Sequence, residues 1–430
     1  MVQSIDEQLD TITQDVADTY TALGAKGATL PVKKGTSNLK ATVDSLPKGG
    51  FPNKLYDVDA NGKIARPSGT FSEGDFDGIV TIPSEGQPFE YAFYGANIEG
   101  DIVFKDLTSV AAQAFVSAFS HATSTKGFNV KFPKLSIMTS NNYNSRSFRN
   151  TFSACKGLKS FECGIRTIAL EGSFFDTLSN STVERISFPE LETIKAQECF
   201  SSFAYSCPKL KTVSFPKLKT IIQNRYDDNF FYASFKSSGI EELEFPELSE
   251  MVTAGNNYGG GFGHSICASC TNLKRVSFPK LTTCLKNSPI FYEGFKACTS
   301  LTDVNFPLLR NSGQYFNNTF VGCTALTNVE FPEMTNVRTN GTFVNCTSLL
   351  SVSFPKATIF ESISAFYGCS SLPSISFPNV KRFNMDTSTF SGCTALTEIH
   401  FRADMQATVE ALSGYASKWG ATNATIYFDL

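Results

Sequence analysis

The chain has 430 residues, a net charge of -3 and only 18% charged residues, so it lacks the basic excess needed to neutralise a phosphate backbone and nucleic acid is not expected as a partner. It is long enough for two or three ordinary domains or for one repeat array. Its aromatic content is skewed to 40 Phe against 14 Tyr and one Trp, which points to Phe filling one recurring slot.

The first residues, MVQSIDEQLDTITQDVADTY, are acidic and carry neither a basic start nor a continuous apolar run, so no secretory signal is expected. Val2, Ile5, Leu9, Ile12, Val16, Thr19 and Leu23 recur at alternating steps of three and four, a heptad stripe. Residues 1–27 are thus expected to form an amphipathic or coiled-coil helix for homo-oligomerisation or docking, with Val2, Ile5, Leu9, Ile12, Val16 and Leu23 at the seam. Residues 28–85 are expected to form a connecting and N-capping region. Within it SNLKATVDSLP places Leu39, Val43 and Leu46 on one helical face and stops at Pro47. The stretch DVDANGKI resembles the start of a calcium loop, but its twelfth position is Ser68 where a bidentate Glu is required, so Asn61-Gly62 reads as a hairpin turn.

From residue 86 one pattern returns. FVGCTALTNVEFPEM recurs as FVNCTSLLSVSFPKA, FYGCSSLPSISFPNV and FKACTSLTDVNFPLL. Aligning on Val-x-Phe-Pro gives twelve slots: Phe104, Phe132, Cys163, Phe188, Phe215, Phe245, Phe278, Phe306, Phe331, Phe354, Phe377 and Phe401, spaced 23 to 33 residues apart. That period belongs to solenoids. Val276-Ser277-Phe278 alternates as a half-buried strand does, and Pro279 then ends the strand because it has no N–H to donate. One short strand per repeat makes a parallel sheet that no single repeat could bury alone, roughly 55 Å long at about 4.8 Å per strand. Two residues past the slot, Glu190, Lys217, Glu247 and Lys280 alternate in sign, which suits stacked neighbours.

These residues resemble the BspA-type leucine-rich repeat family through F-x-x-C-x-x-L-x-x-V-x-F-P over residues 86–402, most closely over residues 263–401. The resemblance implies an α/β-type repeat, a curved right-handed leucine-rich-repeat solenoid of about twelve short parallel strands, and a role in adhesion or recognition. It does not imply catalysis.

Eight cysteines, Cys155, Cys207, Cys270, Cys298, Cys323, Cys346, Cys369 and Cys393, stand eight residues before their slots. One per repeat, they neither pair as a disulfide framework nor converge within about 2.3 Å of one zinc ion. A small, apolar side chain suits the tight bend before each strand, so their expected role is packing.

The widest repeats carry IIQNRYDDNFFYASF, TAGNNYGGGFGHSI, KNSPIFYEGF and NSGQYFNNTF, with an earlier insertion around SNNYNSRSF. Insertions in a solenoid collect on one face, and Tyr with Asn and Gly gives rigid aromatic contact beside adaptable hydrogen bonding. Tyr143, Tyr226, Phe231, Tyr232, Tyr258, Tyr292 and Tyr315 are the candidate contact residues; the competing reading has Phe231 and its neighbours folding back over the longer repeats. No His-x-x-x-His pair, G-x-S-x-G elbow or Walker loop is present, the carboxylates are scattered, and no enzyme activity, metal or cofactor is expected.

Residues 403–430 read as a helix with Met405, Val409 and Leu412 on one face and a last strand near residues 425–429, a helix–strand cap. Together with GTSNLKATVDSLP they resemble proteins encoded beside tail genes in phages and prophages of gut Firmicutes. That resemblance implies a phage tail or receptor-binding protein, in the virion or outside the cell, that engages a bacterial surface protein or glycan and docks to a virion protein through residues 1–27. The alternatives are a cellular BspA-like adhesin and a cytoplasmic protein-binding scaffold. No apolar run is long enough for a membrane span.

Overall fold

The computed structural model describes residues 70–71, 74–82, 89–139, 146–223, 230–253, 262–282, 290–310 and 316–430. The heptad stripe, the helix expected around Leu39 to Leu46 and the turn at Asn61-Gly62 lie outside the described residues.

The coil that contains Phe278 shows how one repeat is built. Arg275–Ser277 is a strand whose Val276 is fully buried. Phe278-Pro279-Lys280-Leu281 then turns, with the Leu281 N–H donating to the Phe278 carbonyl at 3.3 Å. Proline occupies the turn's second position, where its fixed φ favours the bend. Strand follows strand in parallel: Arg185–Ser187, Thr212–Ser214, Glu242–Glu244, Arg275–Ser277 and Asp303–Asn305 pair in register within a ten-stranded sheet. The face continues in Asn328–Glu330 with Ser351–Ser353, and then in Ser374–Phe377, Glu398–Phe401 and Thr425–Phe428.

Most described coils have more than the one strand expected. After the proline turn the chain enters a second parallel sheet, as in Thr193–Ile194, Thr220–Gln223 and Glu250–Thr253, or Asn336–Asn340, Ile359–Ile363 and Arg382–Met385. Its two- to five-residue strands are too short for a readable period.

The third side of each coil is a ribbon of consecutive tight turns. Phe148, Asn150, Phe152 and Ala154 donate their N–H groups to Ser173, Phe175, Thr177 and Ser179 of the next coil at 2.8–3.1 Å. The intervening Arg149, Thr151, Ser153 and Cys155 donate to the carbonyl three residues back. This alternation requires a left-handed residue every fourth position, such as Asn150 (φ 54) and Ala154 (φ 56), or Asn318 (φ 54) and Gly322 (φ 72). The Gly of FVGC, the Asn of FVNC and the Ala of FKAC all occupy that conformation, with Asn345 at φ 58 and Ala297 at φ 59.

Phenylalanine fills the space between the three faces in columns. Along the strand slot, Phe215–Phe245 and Phe278–Phe306 stack at 5.3 Å and 5.2 Å with rings within 10° of parallel. A second column rises from the turn ribbon, through Phe148–Phe174 at 5.0 Å and Phe200–Phe231 at 5.0 Å. It ends at Phe316, because the next coil is only 23 residues long and places Thr339 there, its hydroxyl donating to the Phe316 carbonyl at 3.2 Å. The adjoining Phe306–Phe331 step widens to 6.1 Å, where the strand pairing of the first face is also interrupted.

All eight in-register cysteines are buried and unbridged. The thiols do more than fill space, since each donates to a backbone carbonyl of the previous coil: Cys270 to Phe235 at 2.9 Å, Cys323 to Phe295 at 3.2 Å, Cys369 to Phe343 at 3.1 Å. The charge column pairs as opposite signs suggest, with Lys217–Glu190 at 2.7 Å and Lys280–Glu247 at 2.6 Å. Both pairs are exposed, so they support register more than stability.

At the end of the chain the expected helix contracts to Gln406–Glu410 after a single tight turn, Ala403–Met405. Gly414 at φ 90 and the compact stretch around Trp419 stop it. Trp419 is fully buried, 6.0 Å from Phe383 and 6.1 Å from Phe401, and Thr425–Phe428 adds a strand parallel to Glu398–Phe401.

Candidate functional site

The turn ribbon aligns one column of side chains, exposed or half-buried except at Ser201. It is formed by the residue six positions before each cysteine slot: Arg149 before Cys155, Ser201 before Cys207, His264 before Cys270, Tyr292 before Cys298. Each of these residues immediately precedes a left-handed residue (Asn150, Ser202, Ser265 and Glu293), and its carbonyl accepts an N–H from the coil before it. The ladder therefore fixes the side chains one coil apart.

Two of the expected contact residues meet in this column. Tyr232 and Tyr292 flank His264, with ring centroids 5.0 Å and 4.8 Å apart. Tyr232 is 43% exposed, while His264 and Tyr292 are half-buried. The rings lie at 67° and 59° to one another, so they present edges and faces in turn rather than a flat stack. Burial holds the His264 imidazole below its ordinary pKa, Glu293 opposes the shift and Lys236 adds to it, so the ring is neutral at pH 7. Glu293 is itself paired with Lys296 at 2.7 Å. The cluster offers two phenol hydroxyls, an imidazole and apolar ring faces.

Phe231 is corrected by the structure. It is wholly buried between Phe200 and Phe262, each at 5.0 Å, because the side chain next to Tyr232 in the ribbon points inward to the Phe column. Tyr143, Tyr226, Tyr258 and Tyr315 lie outside the described residues.

Sequence reasoning passed over His264, Arg146, Arg149 and Tyr91. A cleft of about 240 Å³ opens where the ribbon begins, lined by Glu90, Tyr91, Gln113, Arg146, Arg149 and Asn150. Arg146 is anchored there, its Nη2 3.3 Å from Glu198 Oε2 and its guanidinium carbon 4.4 Å above the Phe175 ring. The signal that would have found His264 and Arg149 is their shared position six residues before the cysteine of their coil; Arg146 and Tyr91 carry no such signal. Among the described residues no group of three or more His, Cys, Asp or Glu could hold a metal ion, and no helix is long and apolar enough to cross a membrane.

The family profile of the BspA type Leucine rich repeat region matches the chain in six copies, over residues 261–363 and 316–413. No curated protein matches the chain. Among solved structures it is similar to a leucine-rich repeat protein from Bacteroides ovatus, at 17% identity over 82% of this chain and 76% of the other, with a TM-score of 0.43. A leucine rich cell surface protein from Faecalibacterium prausnitzii is 15% identical over 87% of this chain and 93% of the other, with a TM-score of 0.30. A leucine-rich repeat protein from Eubacterium ventriosum is 16% identical over 80% of this chain and 95% of the other, also at 0.30. The family match thus covers residues 261–413, and the coils that precede them carry the same parallel strands, with the thiols of Cys155 and Cys207 continuing the cysteine ladder.

Proposed function

We propose that the protein is a non-enzymatic recognition module that binds its partner on the turn face of the solenoid. The observation that carries this reading is the half-exposed Tyr232–His264–Tyr292 cluster, three aromatic rings packed one against the next on a rigid backbone ladder. Rigid aromatic side chains bring contact area at low entropic cost, which is why they dominate binding surfaces. The partner is a component of a bacterial surface. Within that reading, the phage-like terminal segments favour a tail or receptor-binding protein over a cellular adhesin, with residues 1–27 as the attachment and assembly helix.

The test is binding of the fluorescently labelled full chain to intact gut Firmicutes cells by flow cytometry, beside the Tyr232→Ala/Tyr292→Ala variant. Cell binding that the double substitution removes, with an unchanged thermal midpoint, is the expected result. Binding that survives the substitution would move recognition to another face.

A further inference from the structure

The polar cleft and the aromatic cluster belong to one track. Arg149, Phe175, Ser201, Tyr232, His264 and Tyr292 are successive members of that column, each tied to the coil before it by an N–H···O bond of 2.8–3.1 Å to its carbonyl. At about 4.8 Å per coil, Arg149 and Tyr292 stand roughly 24 Å apart along the solenoid axis. Ser201 is small and nearly buried in the middle, so the track dips between its two ends.

We infer that this track binds one extended polyhydroxylated chain, a linear glycan lying along the solenoid axis with one sugar in the cleft and another on the aromatic rings. The inference rests on the recognition reading above and names the chemistry of its partner. At the cleft end Gln113, Asn150, Arg149 and Glu90 provide amide, guanidinium and carboxylate groups able to grip neighbouring hydroxyls in pairs. Charge there is balanced, since Arg146 is already paired with Glu198 and Arg149 faces Asp176, so the cleft suits hydroxyls more than a strong anion. At the other end, Tyr232 and Tyr292 offer ring faces for the C–H side of a sugar and hydroxyls for its edge.

An extended peptide fits less well. Peptides captured as strands need an open row of backbone donors and acceptors. On the ribbon, alternate N–H groups are used by the next coil and the others by their own turns, as at Phe148 to Cys155. The surface therefore speaks through side chains alone.

The experiment is a microbial glycan array carrying peptidoglycan strands, teichoic acids and linear capsular polysaccharides with their two- to six-residue fragments, probed with the full chain. Hits are then titrated calorimetrically with Arg149→Ala and Tyr232→Ala, both exposed positions whose thermal midpoints serve as folding controls. A linear glycan whose affinity rises with length, and loses at least tenfold with each substitution at six residues but only with one of them at two residues, is the expected outcome. No glycan bound, no length dependence, or either variant without effect on the long ligand overturns the proposal. If labelled protein still binds cells through Tyr232 and Tyr292 while the array is silent and protease treatment of the cells removes binding, the partner is a protein. In that case recognition on the turn face stands and the glycan does not.

Discussion

The thiol of Cys346 lies 3.1 Å from the carbonyl oxygen of Phe320, one coil earlier, and donates to it. The same carbonyl already accepts the N–H of Cys323 at 3.1 Å, so the cysteine occupies its second lone pair. Sulfur thus joins neighbouring coils where the backbone has no donor left. Cys346→Ala is expected to lower stability by about 1–2 kcal/mol, from one lost weak bond and a small void. Cys346→Val, which keeps bulk but overfills the bend and cannot donate, should lose about 1–3 kcal/mol. Chemical denaturation of both variants checks the order; an alanine variant as stable as the parent would reduce the thiol to a spacer.

Thiol chemistry follows from the same burial. Desolvation pushes the Cys346 and Cys393 thiols up to about 12, leaving almost no thiolate at pH 8. The in-register cysteines whose thiols burial pushes up, Cys155, Cys207, Cys298, Cys323, Cys346, Cys369 and Cys393, should be silent to an aromatic disulfide reagent in the native state and react together on unfolding, at the denaturant midpoint read by circular dichroism. Fast reaction of these positions in the folded chain would contradict the ladder.

Phe231 and Tyr232 are adjacent in the chain and opposite in role. Phe231→Ala empties a slot between Phe200 and Phe262 and should cost about 3–5 kcal/mol. Tyr232→Ala removes a side chain that is 43% exposed and should change stability by less than about 0.5 kcal/mol while weakening partner binding. Paired melting and cell-binding measurements separate the two.

Ala297 holds φ 59 in the position that Gly322 and Gly368 fill one and three coils later, at φ 72 and 75. An L-residue there carries a steric penalty of roughly 1 kcal/mol that glycine does not. Ala297→Gly is expected to stabilise the chain by up to about 1 kcal/mol, and Gly322→Ala to destabilise it comparably, as read from thermal midpoints.

His400 reports on the last strand. Partial burial pulls its pKa down, but hydrogen bonds from Nδ1 to Asp429 at 2.9 Å and from Nε2 to Glu398 at 3.3 Å outweigh that and leave it raised above 6.5. A group raised in the folded state contributes stability that is full below its unfolded pKa and is lost as pH climbs through the folded one. Amide exchange of Thr425–Phe428 should therefore be slower at pH 6 than at pH 8 after correction for intrinsic rates, a difference that His400→Gln abolishes.

The light-scattering mass of the full chain, beside that of a chain beginning at Ala28, tests residues 2–23. A defined oligomer that becomes a folded monomer on truncation is the outcome expected from the heptad stripe.

Much of this architecture could be read in one dimension. The period of Val-x-Phe-Pro, the alternation of Val276 and Phe278 with polar neighbours, and the proline after each slot are local, and stacking identical units leaves one parallel arrangement that buries them. The packing role of the cysteines followed from their spacing. What the residues could not display was the second sheet, whose strands are too short for a period, and the turn ribbon, whose left-handed positions are held by Ser, Asn, Ala and Gly alike because the ladder between coils, not residue preference, imposes them. The meeting of Tyr232, His264 and Tyr292 belongs to the same class: these residues lie about thirty positions apart, and only the coil spacing of about 4.8 Å makes them neighbours. Sequence alone determined which side chains repeat; the tertiary stacking decided which of them face inward and which share a surface, because that choice depends on register between coils rather than on any one of them.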